Sequence, residues 1–339
     1  MNRFTIVQDD PLHHREEILR FWKEYLPGAP PKRLEWLIEG NPAGQTVWLF
    51  AFGSKTNALA GTISIMPRKI KVSNKEYKAG IVGDFMVAKE HRAFGPALPI
   101  MKAVIGDYQR LGFDFLYTVP NPQSEALAHR AGFTRIGTLK RFTKVLNPGY
   151  KLRGRMPRLL STLLVPGANM VCKLFSRDTY TTSRLDLKKY TGQNAEGSFC
   201  IMGKADLPYI MGDRSNEYMR WRYFQNPLYE CNIFGYSELD TDQPLGCVVV
   251  TMIGENAHVL DFMFHRTEAV EPILLRFLKD MRKNGCGAVS VRMLEGSPLQ
   301  ERLERLGFHE RKETAPLLFV GKPFLSPNEW LFFDGDRNV

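Results

Sequence analysis

The chain of 339 residues is poor in the features that most often announce a chemistry. Its five cysteines, Cys172, Cys200, Cys231, Cys247 and Cys286, are odd in number and share no paired spacing. That argues against a disulfide framework or a zinc site and leaves them as reduced, mostly structural thiols. The histidines form no constellation, since His13 and His14 sit near the first helical pattern while His258, His265 and His309 fall on separate elements. No metal is therefore expected. No apolar run reaches bilayer length, and Met1–Asp10 lacks the charged-then-apolar layout of a signal peptide, so a cytoplasmic location is expected. Serine nucleophilic catalysis has no support, because Ser124 follows Asn121-Pro122 as in a helix cap and has no histidine and carboxylate to activate it.

A formal charge of +10 favours acidic partners in general, but the cations are dispersed and mixed with carboxylates. No nucleic-acid reading motif accompanies them, so no nucleic-acid partner is expected. The densest cluster, Lys151, Arg153, Arg155 and Arg158, leads into Leu159–Val165 and, past Pro166 and Gly167, into Asn169–Phe175. Residues 151–175 read first as an inter-domain helix packed by its apolar stripe, and second as a basic amphipathic element for peripheral contact with an anionic membrane.

What the chain does contain is a repeat. Leu34–Pro42 precedes an apolar strand at Val47–Phe52, and Met219–Pro227 precedes one at Asn232–Tyr236, with Trp36 and Trp221 in matching places. Leu59–Ile65 pairs with Pro244–Val250, and Asp84-Phe85-Met86-Val87 with Asp261-Phe262-Met263-Phe264. Helical periodicity follows in both halves, over Leu98–Leu111 and Val270–Met281, and then β-rich runs at Phe113–Val119 and Ala288–Met293. Each half closes with a short helix, Ser124–Phe133 and Ser297–Phe308, in which Gly132 and Gly307 suit the C-terminal position. An α+β fold of two related domains follows, each a mixed twisted sheet flanked by helices. The expected boundaries are 1–148, a basic and apolar linker over 149–180, and 181–339.

The sharpest local signal is strand Gly80–Val87 running through Arg92-Ala93-Phe94-Gly95-Pro96-Ala97 into a helix. Gly95 permits close backbone approach, and the uncapped amides of a helix start suit a phosphate ester. The plain structural reading is a strand-to-helix turn. With Asn121 after the next strand and Ala128–Phe133 closing the unit, the chain resembles the GNAT superfamily of acyl-CoA-dependent N-acyltransferases, in tandem.

The resemblance implies that Phe85, Met86, Val87, Arg92, Ala93, Phe94, Gly95, Pro96, Ala97, Asn121 and Ser124 bind acetyl-CoA or another acyl-CoA. It also implies an amide of Met86 or Val87 at the thioester carbonyl and Asp84 as the base. Asp261 repeats Asp84 in the half without the glycine turn, so a shared structural role is the rival reading. The family's usual acid, a tyrosine, is replaced by Ala128; Tyr117 on the preceding strand is the candidate acid against a rival reading as packing, His129 reads as exposed, and water can serve instead. The second copy, His265–Glu271, lacks the turn and carries two carboxylates, so it is read as degenerate, an acceptor-site or structural unit. Arg222 and Tyr223 are its candidate substrate contacts, against a rival reading as helix residues.

The expected function is N-acetyl transfer from acetyl-CoA to a small amine or amino sugar. The alternatives are a non-catalytic acyl-CoA-binding or scaffold protein, and a membrane-surface acyltransferase acting on a cell-envelope acceptor.

Overall fold

The computed structural model describes residues 3–73, 75–92, 95–149, 158–180, 187–191, 207–239, 243–322 and 325–338. In the first half, β1 (Phe4–Gln8), α1 (Arg15–Tyr25) and α2 (Lys32–Ile38) lead into β2 (Val47–Gly53), β3 (Leu59–Val72) and β4 (Lys75–Val87). Then come α3 (Ala97–Asp107), β5 (Phe115–Thr118), α4 (Pro122–Ala131) and β6 (Thr134–Val145). The second half holds α5 (Arg158–Leu174), α6 (Arg177–Tyr180), β7 (Leu187–Thr191), β8 (Met211–Gly212) and α7 (Asn216–Met219), which runs into a π-helical turn at Arg220–Phe224. It continues through β9 (Asn232–Glu238), β10 (Pro244–Ile253), β11 (Asn256–Phe264), α8 (Val270–Lys283), β12 (Ala288–Leu294), α9 (Gln300–Arg305) and β13 (His309–Gly321).

The strands form one mixed sheet in the order β1-β2-β3-β4-β5-β13-β6-β12-β11-β10-β9-β7, with β8 paired to β3. Its middle is a reciprocal exchange. β13, the last strand of the chain, lies against β5 of the first half, with Leu318 opposite Thr118 and Gly321 opposite Phe115. β6, the last strand of the first half, lies against β12 of the second, from Ala288↔Val145 to Leu294↔Leu139. The two borrowed strands also pair with each other. Each half thus completes its sheet with a strand from the other.

Apolar residues on the two faces explain the layering. Leu49, Ile63, Val82, Leu116 and Leu318 point to one side and pack under α3 and α4 with Ile100, Val104 and Phe133. Their alternates, Phe50, Ile81, Tyr117 and Phe319, point to the other side, where α1, α2 and the C-terminal residues Trp330 and Phe332 cover them. That second layer is shared, because Trp221, Val249, Leu260 and Met263 of the second half belong to it. α8 buries Val270, Ile273, Phe277 and Leu278 against the outer face of β10–β12.

The repeat is geometric as well as sequential. Ala88 N donates to Ala60 O, and His265 N donates to Leu245 O at the matching place. A Cβ on Gly61 would come within 3.0 Å of Met86 O, and one on Gly246 within 2.4 Å of Met263 O. Gly132 (φ +125°) and Gly307 (φ +84°) close α4 and α9 in the left-handed region, as expected for that position.

After β13 the chain crosses back over the shared core. Leu331 N donates to Ile210 O, and Asp336 is buried between Arg68 (2.7 Å) and Arg214 (3.1 Å). Arg214 also pairs with Asp261, so two guanidiniums face two carboxylates and the buried charge balances. This crossing carries residues 337 and 338 into the first half.

Candidate active site

β4 and β5 pair only over Ala79–Ile81, after which the two parallel strands part. Thr118 Oγ1 donates to Val82 O (3.0 Å) at the fork. A cavity of about 1000 Å³ opens there, walled by 82–87 of β4 and by Val119–Ser124 after β5. It reaches Arg92 and Ala97 at the start of α3, and Arg33 and Asn338 on the other side. The free edge of β4 therefore borders open space instead of a neighbouring strand.

β4 is bulged where it borders this space. Thr62 faces Met86 and Ser64 faces Gly83, so Ile63 opposes both Asp84 and Phe85. The extra residue is accommodated by Asp84 at φ +46°, a left-handed conformation that costs a non-glycine residue on the order of 1 kcal/mol or more. Its side chain offsets the strain. Arg33 Nη1 donates to Oδ1 (2.5 Å), Ser64 Oγ to Oδ2 (3.0 Å) and Asn338 Nδ2 to Oδ2 (3.3 Å). Thr62 Oγ1 donates to the Asp84 carbonyl (3.2 Å). The carboxylate is buried against a matched cation and borders the cavity.

Asp261 is the counterpart of Asp84 and shares half of its role. It too is held by a buried arginine, Arg214 (2.9 Å), but Tyr223 takes its other oxygen (2.9 Å) and it does not line the large cavity. The fork of the second half is filled. Phe262, Met293 and Phe333 leave only about 20 Å³ among apolar side chains there. Met293 also bridges to Phe333 of the C-terminal segment, which occupies the opening.

At the other end of the main cavity, α3 begins at Pro96 with no side chain capping its first turn, and Arg92 and Ala97 line the space. Arg92 lies over the Tyr25 ring, 4.8 Å from its centroid. Gly95 serves the turn, since a Cβ there would fall 1.7 Å from His91 O. Pro96 is buried with its ring toward Gly61, behind the cavity wall. Ala93 and Phe94 lie outside the described residues. Asn121 caps α4 by accepting from Ser124 N (2.9 Å), and both border the cavity, as do Asp84, Phe85, Met86 and Val87.

Three expectations require correction. Tyr117 is fully buried on the opposite face of β5, where its hydroxyl donates to Asp336 O (2.8 Å) and its ring packs on Trp330 and Phe332. Burial, followed by the nearby Asp336 carboxylate, pushes its pKa well above the ordinary tyrosine value, which suits a structural donor and not an acid. Arg222 and Tyr223 do not border the cavity either. Arg222 donates to Gly335 O (3.0 Å) and Arg337 O (2.7 Å), anchoring the C-terminal crossing, while Tyr223 is committed to Asp261.

The structure supplies other residues. Arg135, Arg292, Arg337 and Asn338 reach the cavity from β6, β12 and the C-terminal segment, together with Arg33 from α2. Arg292 and Arg337 share one carboxylate oxygen of Asp334 (3.1 and 2.9 Å), so this wall carries surplus positive charge. Only the strand exchange and the returning C-terminal segment bring Arg292, Arg337 and Asn338 to this cavity. No local motif marks them.

Residues 14–136, which supply β2–β5, α3, α4 and the bulged strand, match the family model of the acetyltransferase (GNAT) domain. This stretch of the first half is therefore similar to the GNAT domain. Solved structures share the whole architecture at low identity. A conserved protein from Enterococcus faecalis, titled a probable N-acyltransferase, is 12% identical over 94% of this chain and 72% of its own, with a TM-score of 0.68. A GCN5-related N-acetyltransferase from Anabaena variabilis aligns over the same shares at 11% identity, with a TM-score of 0.63. The N-myristoyltransferase of Saccharomyces cerevisiae, solved with bound myristoyl-CoA, aligns over 99% of this chain and 84% of its own at 10% identity, with a TM-score of 0.57. No curated protein matches the sequence.

Proposed function

We propose that this protein is a GNAT-type acyl-CoA-dependent N-acyltransferase that moves an acetyl group from acetyl-CoA to a small amine, an amino sugar among the candidates, and that the second half is structural in this reaction. The observation that carries the reading is the single cavity joining the fork of β4 and β5, the uncapped start of α3 and the Asp84 carboxylate. The amides at the start of α3 and Arg92 suit the diphosphate, and the fork suits an extended pantetheine arm bordered by Val87 and Asn121. The thioester then reaches the bulge, where Met86 or Val87 supplies the polarising amide. Asp84 takes the ammonium proton directly or through water, so that the neutral amine can attack the carbonyl carbon as the C–S bond breaks. With Ala128 lining the wall at the family's tyrosine position, water protonates the leaving thiolate. The surplus of arginine around Asp334 favours an acceptor that carries an anionic group beside its amine.

Calorimetric titration of acetyl-CoA into the wild type and Ala97→Asp tests the reading. Asp in the first turn favours the helix but repels a diphosphate, so binding should weaken about tenfold with no loss of thermal stability. Equal affinity in both proteins would remove the diphosphate from this helix. Thiol release across amines with and without a carboxylate or phosphate, amino sugars included, then tests the acceptor.

A further inference from the structure

α5 is turned with an apolar face to solvent. Among the described side chains, those from 164 onward, the contacts to the rest of the protein fall on one stripe. A Cβ on Gly149 would strike Val165, Asn169 Oδ1 accepts from Gly149 N (2.9 Å), and Cys172 Sγ approaches Val145 O. Ser176, just beyond, is fixed by Arg282 (2.9 Å). Residues 165, 169, 172 and 176 recur at helical spacing and define the packed side. Leu164, Met170, Val171, Leu174 and Phe175 lie on the other side, all exposed, with Phe175 85% accessible. The usual expectation for a surface helix, apolar side inward and polar side outward, is reversed here by five large side chains.

The charge of this region is one-sided. Residues 148–177 contain Lys151, Arg153, Arg155, Arg158, Lys173 and Arg177 and no Asp or Glu. Lys151, Arg153 and Arg155 lie outside the described residues. Among the described residues no helix is long and apolar enough to cross a membrane. An outward apolar face in a segment whose sequence carries charge of one sign matches a helix that lies in the interface of an anionic bilayer. A second copy fits poorly, because a two-fold contact through this face would set one cationic set against another.

We infer that α5 docks the protein on anionic membrane surfaces, with Leu164, Met170, Val171, Leu174 and Phe175 inserted among the acyl chains and the basic residues at the headgroups. The docking is independent of the acyl-CoA site.

Co-sedimentation of the full chain with phosphatidylcholine vesicles, with and without phosphatidylglycerol, tests the inference. The wild type should pellet with the anionic vesicles and be released by salt. Val171→Asp/Phe175→Asp should lower the partition coefficient by roughly tenfold or more, and Arg153→Glu/Arg155→Glu likewise. Val171 and Phe175 are exposed and outside the packed stripe, so thermal melting and acetyl-CoA titration matching the wild type in both variants would show that only docking is lost. Absence of wild-type binding, equal binding to neutral vesicles, or binding unchanged in both variants overturns the inference. So does sedimentation of the wild type as a dimer that Val171→Asp/Phe175→Asp dissociates, since that would make the face a contact between copies.

Discussion

Trp36 and Trp221 stack with ring centroids 4.6 Å apart and planes 8° from parallel, and each indole Nε1 donates to the other residue's backbone carbonyl, at 2.9 and 3.0 Å. The pair is its own mirror in the repeat, so it marks the pseudo-two-fold axis relating the halves. Trp36→Phe and Trp221→Phe should each lower stability by about 1–2 kcal/mol, because each leaves a buried carbonyl without its donor. A double-mutant cycle by urea unfolding should give a coupling of at least about 0.5 kcal/mol. Strict additivity would mean that the two rings act independently.

Asp84 and Arg33 form a buried pair, so their stabilising and chemical roles can be separated. Asp84→Asn should lose on the order of 3 kcal/mol of stability by stranding a buried guanidinium, and should also slow thiol release. Arg33→Met/Asp84→Asn should regain much of the stability without regaining turnover. Turnover that returns with stability would leave Asp84 a purely structural residue.

Asp336 sets a pH dependence. Its burial would raise its pKa, but Arg214 and Arg68 outweigh that and hold it below the ordinary carboxylate value of 3.8. A depressed folded pKa contributes stability that is complete above the unfolded value and is lost as pH falls below it through the folded one. Asp336→Asn should therefore be less stable than the wild type at pH 7 by about 3 kcal/mol. The gap should narrow only below about pH 4, where the unfolded carboxylate begins to protonate. Urea titrations across this range measure it, and a gap constant down to the acid transition would contradict the assignment.

Gly83 makes room for Asn338, since an added Cβ would fall 1.4 Å from Asn338 Nδ2. Gly83→Ala should push the asparagine off Asp84, at a cost of about 1–2 kcal/mol. Amide hydrogen exchange in residues 334–338 should rise, while acetyl-CoA affinity stays near the wild-type value. Unchanged exchange would show that the C-terminal crossing holds without this contact.

Local pattern made the repeated strands, α3, α8, the glycine helix ends and the bulge-bearing Asp-Phe-Met triplet legible, because period and turn chemistry are written in adjacent residues. The strand exchange was not legible. β6 and β13 are long half-buried strands, and nothing in their alternation says which neighbour they take. The same gap explains Tyr117, Arg222 and Tyr223, whose partners Asp336, Gly335 and Asp261 stand far away in the sequence. It also explains why Arg292, Arg337 and Asn338 went unmarked, as they reach the cavity only through the β6–β12 pairing and the returning chain. The cavity-lining Asn121, Ser124 and Ala97 were legible because the strand, turn and helix that place them are contiguous.

The interlaced middle of the sheet has a lasting consequence. Severing the chain between the halves would strip β5 and β12 of their borrowed neighbours and bare two raw edges, each an invitation to aggregate. Neither portion keeps its present sheet when parted from the other, so the half with the closed fork serves as the frame on which the other is stretched.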